Sequence, residues 1–309
     1  MNLQKLIQQY LHYQQSLGWR PLPHGGCIGA FGRFLGANID VADVERRQVE
    51  AFLVGKGSIT ATWHTKFSAL QSFYRYATSR GYVAAAPLPT VAPQRPRNFT
   101  PYIYSHDELR RLFQAVGSVR RPWCSVEPST MRMVLLLLYG AGLRLGEVIN
   151  LDSSHIDWSQ RVMTIHNSKF LKTRMVPFGL LLSDALADYA AIRTPPVGAQ
   201  FFTRRTGGRI NDELIQSYFS ILRRRVGVHR SDVERFQPRL HDLRHTFAVH
   251  RLTSWYQQGA DVQRLLPQLS TYLGHVNIQA TQVYLTMTPE LLDAAGKRFE
   301  HYAVQEGTS

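Results

Sequence analysis

The stretch RLHDLRHTFAVH, residues 239–250, sets three histidines and two arginines within twelve positions. A metal ion wants deprotonated ligands at fixed spacing and would be repelled by the arginines, so an anion suits this stretch better. Three further islands carry similar chemistry: Arg144 in AGLRLGEVINL, Lys169, Lys172 and Arg174 in RVMTIHNSKFLKTRMVPF, and His275 with Tyr284 in LGHVNIQATQVY. Each has an ordinary structural reading when taken alone. An arginine after a glycine turn is commonly a cap or an ion-pair partner. A hairpin lysine is commonly solvated, and a tyrosine nine residues after a histidine is commonly core. Their joint occurrence in this order is what points to a single constellation.

Charge identifies the class of anion. Lys and Arg number 36 against 22 acidic residues, a formal charge of +14 at pH 7. Residues 1–95 hold ten basic and four acidic side chains (+6), which leaves +8 for the rest of the chain. A polyanion long enough to touch both halves is implied, and nucleic acid fits better than a small phosphorylated metabolite. A membrane is the rival polyanion. The longest apolar run, MVLLLLYGAGL at 133–143, is far short of the roughly 20 residues a spanning helix needs. The first residues, MNLQKLIQQY, show neither a signal-peptide core nor a lipidation motif, and Cys27 and Cys124 are the two cysteines. These features lead us to expect a cytoplasmic, nucleoid-associated protein with no membrane partner.

The elements that must position the islands are mostly helical. Leu3, Leu6, Ile7, Tyr10 and Leu17 form one stripe, and Trp63, Phe67, Leu70, Tyr74 and Ala77 form another that stops at Gly81. The second stripe's polar face carries Lys66 and Arg75, which in a basic domain become candidate DNA contacts. Five prolines among residues 87–101 mark a linker. Ser105 and Glu108 make a capping box, a core helix ends near Tyr139, and a new helix begins near Arg144. Residues 161–178 read as two strands around a polar turn. The expected architecture is mainly α with a small antiparallel sheet. It divides into a helical domain (1–86), a linker (87–101), a mixed α/β domain (102–288) and a tail helix (289–309).

The ordered islands resemble the tyrosine recombinase, or phage integrase, family over nearly the whole chain. GLRLGEVINL is similar to the family's first arginine box, HDLRHTFAVH to its His-x-x-Arg box, and LGHVNIQATQVYL to the segment ending in the nucleophilic tyrosine. Family hairpins carry a lysine five residues before an arginine, which selects Lys169 over Lys172. The resemblance therefore implies Arg144, Lys169, His241, Arg244, His275 and Tyr284 as the catalytic set, with Lys66, Arg75, Lys172 and Arg174 as further DNA contacts. The proline-containing stretch between Arg244 and His275 is similar to that of transposon-associated integrases, which implies a mobile-element enzyme.

The chemistry is coherent. If Tyr284 attacks a DNA phosphodiester, Arg144 and Arg244 can each donate paired hydrogen bonds to the charged transition state. His241 is the candidate acceptor for the tyrosine proton, Lys169 the donor to the leaving 5′ oxygen, and His275 a further phosphate donor. His245 is expected to face inward and to pack or cap. No cofactor or metal is implied. Duplex DNA recombination sites are the expected partner, with a tetramer assembling on them through the apolar tail stripe Leu292, Ala295, Phe299 and Tyr302. The competing readings are a type IB topoisomerase-like enzyme, a non-catalytic DNA-binding regulator and a metal-dependent nuclease.

Overall fold

Helical periodicity and end signals account for most elements of the computed structural model. It describes residues 1–17, 24–55, 61–94, 100–119, 125–166, 173–193, 199–232, 236–287, 291–293 and 295–297. Lys169, Lys172, Cys124, Phe299 and Tyr302 lie outside the described residues. The chain divides into two units, Met1–Asn98 and Phe99–Ser309.

In the first unit, Leu3, Leu6, Ile7 and Tyr10 are buried along α1 (Leu3–Ser16), and the Asn2 side chain caps its start by accepting from two backbone amides. Leu17 departs from the expected stripe and is exposed, because the helix stops at Ser16 and the next residue leaves its register. The other helices are α2 (His24–Leu35), α3 (Arg46–Val54) and α4 (Ala61–Ser79). Trp63, Leu70, Phe73, Tyr74 and Ala77 bury one face of α4 against a core that includes Ile28, Phe31, Val49 and Phe52. α4 ends where Gly81 takes φ +74°, so that its amide bonds Thr78 O and the Tyr82 amide bonds Ala77 O, each at 3.0 Å.

The second unit opens with α5 (His106–Ala115), where the Ser105 and Glu108 capping box forms with both reciprocal bonds in place. The core helix α6 (Pro128–Gly140) is followed by a break and then by α7 (Leu145–Ile149). Gly142, at φ +59°, makes the break, and a Cβ there would come 2.6 Å from the Phe247 ring. The strands β1 (Ile156–Asp157), β2 (Val162–Ile165) and β3 (Arg174–Pro177) form one antiparallel sheet in that order, with Met163 opposite Val176 and Ile165 opposite Arg174. The expected hairpin is therefore present. β1 was not anticipated, since two residues carry no periodic signal.

Helices α8 (Leu180–Arg193), α9 (Asp212–Arg225), α10 (Asp242–Gln257), α11 (Val262–Leu273) and α12 (Gln279–Gln282) follow, and a 3-10 turn at Val283–Thr286 carries Tyr284. The molecule is mainly helical with a small sheet. Its larger core packs around α6, and a smaller cluster joins Phe247, Leu252, Leu266, Leu273, Tyr284 and Leu291. Of the expected tail stripe, Leu292 is exposed, while its neighbour Leu291 is buried in that cluster. No helix among the described residues is long and apolar enough to cross a membrane.

Candidate active site

The first turn of α10 is held from several sides. The buried Asp242 carboxylate accepts from the Arg239 amide at 2.8 Å and from its guanidinium at 3.0 Å. The Thr246 hydroxyl donates to Asp242 O at 2.8 Å and accepts from the Tyr104 amide at 3.0 Å, while the Tyr104 hydroxyl donates to Arg239 O. A turn pinned in this way directs Arg244 into the interior, where the residue is 1% exposed. Its guanidinium donates to Gly142 O and to Leu273 O. Burial, then the Arg144 guanidinium, pull its pKa down to about 9, which still leaves it charged at neutral pH.

The C-terminus of α11 is the second anchor. Gly274 caps it in the left-handed region (φ +67°), with its amide bonded to Thr271 O and the His275 amide bonded to Ser270 O. The carbonyls thus left at the helix end each accept from a different arginine: Tyr272 O from Arg174 at 2.9 Å, Leu273 O from Arg244, and Gly274 O from Arg144 at 3.0 Å. Unpaired carbonyls and the negative end of the helix dipole favour such cations. A Cβ on Gly274 would sit 3.0 Å from the Arg174 side chain, a second reason for glycine there.

Glu147 ties two of these arginines together. Its oxygens accept from Arg144 Nη1 and from both terminal nitrogens of Arg174, all at 2.8 Å. Burial works against this carboxylate, but the Arg174 hydrogen bonds and the two guanidinium charges hold its pKa down at about 2.

Tyr284 completes the site. Its residue is 3% exposed, and its hydroxyl lies 3.1 Å from His245 Nδ1. The His275 ring lies 6.0 Å from the tyrosine ring, and its Nδ1 is 2.7 Å from the hydroxyl of the buried Thr281. The His241 ring meets His245 edge-on at 4.9 Å. Burial raises the tyrosine's pKa against the pull of Arg244 and Arg144. Burial also lowers His275 to about 4 and His245 to about 3, helped by the neighbouring cations. His241 keeps part of its surface open to solvent, yet desolvation of its ring and the Arg244 charge lower it as well.

The fold thus brings Arg144, Arg244, His275 and Tyr284 around one point, with His241 at its rim. Two expected DNA contacts are revised. Arg174 is not an open contact, because its guanidinium is fully engaged by Glu147 and Tyr272 O and its side chain is 8% exposed. Lys66 donates to Phe52 O at 2.7 Å and lies over the Phe52 ring, so its ammonium serves the packing of α3 on α4. Arg75 is exposed on α4. His245 does more than pack or cap, since it holds the tyrosine hydroxyl. Glu147 and Thr281 escaped the sequence reading; an acid three residues after Arg144, in the first turn of α7, was the available signal for the former. Three histidines without added protons, two guanidiniums and a phenol suit an entering phosphodiester.

Residues 103–290 match the phage integrase family. The chain belongs to that family. It is a tyrosine-type site-specific recombinase. Among its relatives, y4rB of Sinorhizobium fredii, named as an integrase/recombinase, is 34% identical over 95% of this chain and 96% of its own. The tyrosine recombinase XerC of Chlorobaculum tepidum is 30% identical over 81% of this chain and 75% of its own. The recombinase fold is shared with a lambda integrase tetramer bound to a Holliday junction (TM-score 0.67, 18% identity, 92% of this chain and 77% of that one). It is shared too with the Tn1549 transposon integrase in complex with transposon right-end DNA (TM-score 0.67, 14% identity, 98% and 100%).

Proposed function

We propose that the protein is the recombinase of a mobile element, cleaving and rejoining duplex DNA through a 3′-phosphotyrosyl intermediate. One observation carries the reading: Tyr284 is buried with His245 and His275 beside it, and the Arg244 and Arg144 charges act on its hydroxyl against the effect of burial. Packing in the cluster with Phe247 and Leu273 accounts for the Tyr284 ring, whereas its hydroxyl, held by His245 and acted on by two guanidinium charges, suits a nucleophile facing a phosphate.

In this reading Arg144 and Arg244 hold the non-bridging oxygens, and each preorganised donor contributes about 10²- to 10³-fold in rate. His275, neutral and anchored through Nδ1, presents Nε2 to the same phosphate. His241 joins the cage at its open rim. Lys169 protonates the leaving 5′ oxygen. Residues 1–86 serve as a second DNA-binding domain, joined by 87–101 to the catalytic domain 102–288, and Arg75 and Lys172 contact the backbone. Four copies on two sites, linked through the 289–309 tail, would exchange strands on the nucleoid. The lambda integrase tetramer on a Holliday junction supports the assembly. The end-to-end match to y4rB and the fold shared with a transposon integrase support the mobile-element role.

The test uses nicked duplexes tiled across the DNA flanking the gene, which trap a covalent adduct once the cut strand diffuses away. Wild-type protein should form the adduct, whereas Tyr284→Phe should bind the same duplex and form none. An adduct of normal yield with the phenylalanine variant would overturn the assignment of the nucleophile.

A further inference from the structure

His241 and His245 are one helical turn apart, and side chains at i and i+4 share a helix face. Either could meet the nucleophile as far as spacing goes. The fold decides between them: the Tyr284 hydroxyl is 3.1 Å from His245 Nδ1, with ring centroids 5.5 Å apart, while His241 meets the His245 ring edge-on instead. We infer, resting on the recombinase reaction proposed above, that His245 is a further catalytic residue whose Nδ1 aligns the Tyr284 hydroxyl and takes its proton as the oxygen attacks phosphorus.

The ring's two nitrogens set the terms. Nδ1 accepts a hydrogen bond when the ring hydrogen is on Nε2. The groups facing His245 are His241, just before α10, Arg244 on α10 itself, Arg239 from the preceding segment, His275 from the turn after α11, and Tyr284 from the 3-10 turn. Burial and the positive members of this set keep the imidazole neutral, so its lone pair is available at physiological pH. The same positive field makes it a weak base in the empty site. An entering phosphodiester brings negative charge against Arg144 and Arg244, cancels part of that field, and raises the ring's proton affinity at the moment of attack. Burial of Tyr284 meanwhile suppresses ionisation without a substrate.

The step balances. The Oη–H bond breaks and its proton moves to Nδ1, while an Oη lone pair forms the new bond to phosphorus. The bond from phosphorus to the 5′ oxygen breaks, and that oxygen takes a proton from Lys169. In the rejoining step the 5′-hydroxyl attacks phosphorus and gives its proton back to the Lys169 amine, the bond from phosphorus to the tyrosine Oη breaks, and the imidazolium returns its proton to that oxygen.

The experiment follows adduct formation by the full chain on the nicked flanking duplexes from about pH 6 to about pH 9, where a working general base contributes roughly 10²- to 10⁴-fold. Wild type should give a nearly flat profile. His245→Ala should be slower by about that factor and should accelerate about tenfold per pH unit, as hydroxide replaces the lost base. His245→Asn keeps an acceptor oxygen but cannot carry the proton, so it should show the same slope and decides the matter if the alanine variant fails to fold. A bridging 5′ sulfur, which departs without protonation, should rescue neither variant. A slow but flat profile in His245→Asn, rescue by the sulfur, or the slope arising in His241→Ala instead would each overturn the inference. Absence of any adduct from wild type, or an adduct from Tyr284→Phe, would refute the phosphotyrosyl reading itself and the inference with it.

Discussion

In the N-terminal unit the buried side chains are apolar or aromatic, with Phe31 against Phe52 and Tyr10 against Phe73, and the cations that approach them, Lys66 and Arg80, lie over aromatic rings. In the second unit Asp242, Arg244, Thr246 and Thr281 are buried, and each has a hydrogen-bond partner. The N-terminal unit even leaves the buried Tyr74 hydroxyl and His64 Nε2 with no partner among the described residues. Burying charge costs several kcal/mol per ion unless it is paired, so a unit that only had to fold would avoid it. The contrast separates a packing unit, whose polar atoms are incidental, from one whose buried charges are arranged around a phenol.

The largest effect should come from breaking the charge network. Glu147→Ala removes the shared partner of Arg144 and Arg174 and leaves two guanidiniums facing each other. We expect a loss of about 3–5 kcal/mol in urea unfolding, the range for uncoupling a buried pair. An unchanged midpoint would mean that the helix-end carbonyls alone suffice for both arginines, and the contrast between the units would then narrow.

Acid should act on the same unit with intermediate force. His245 and His275 have folded pKa values of about 3 and about 4, below the ordinary value of 6.5. As pH falls below about 6.5 the unfolded chain takes up protons that the folded protein refuses, so stability present at neutral pH is lost progressively toward the folded values. For one such histidine the loss at pH 5 is on the order of 2 kcal/mol. Thermal melts at neutral pH and near pH 5 should therefore differ less for His245→Asn than for wild type. An equal difference would argue that His245 is not the group being titrated.

The smallest effect belongs to the N-terminal unit. Tyr74→Phe deletes a hydroxyl that has no partner among the described residues and keeps the ring, so stability should hold or rise by up to about 1 kcal/mol. A clear loss in the same melts would show that the hydroxyl has a partner after all and that this core is not indifferent to its polar atoms.

Local signals were legible in the sequence because local physics makes them. The α1 and α4 stripes, the Ser105–Glu108 box, the stop at Gly81 and the presence of the hairpin depend on residues a few positions apart, where spacing and side-chain chemistry suffice. The order of the arginine, histidine and tyrosine islands was equally plain, since the chemistry needs those residue types and the resemblance covers most of the chain. What only the tertiary structure decided was which of several equivalent groups meet. His241 and His245 share a helix face, and the position of Tyr284 chooses between them from 39 residues away. Arg174 looked like an open cation on a hairpin until Glu147, 27 residues earlier, took its guanidinium. Leu291 and Leu292 are adjacent in sequence, yet the first is buried beside Tyr284 and the second is exposed. Short-range periodicity repeats every turn and so names a face, whereas a partner distant in sequence is selected by packing, which no local spacing encodes.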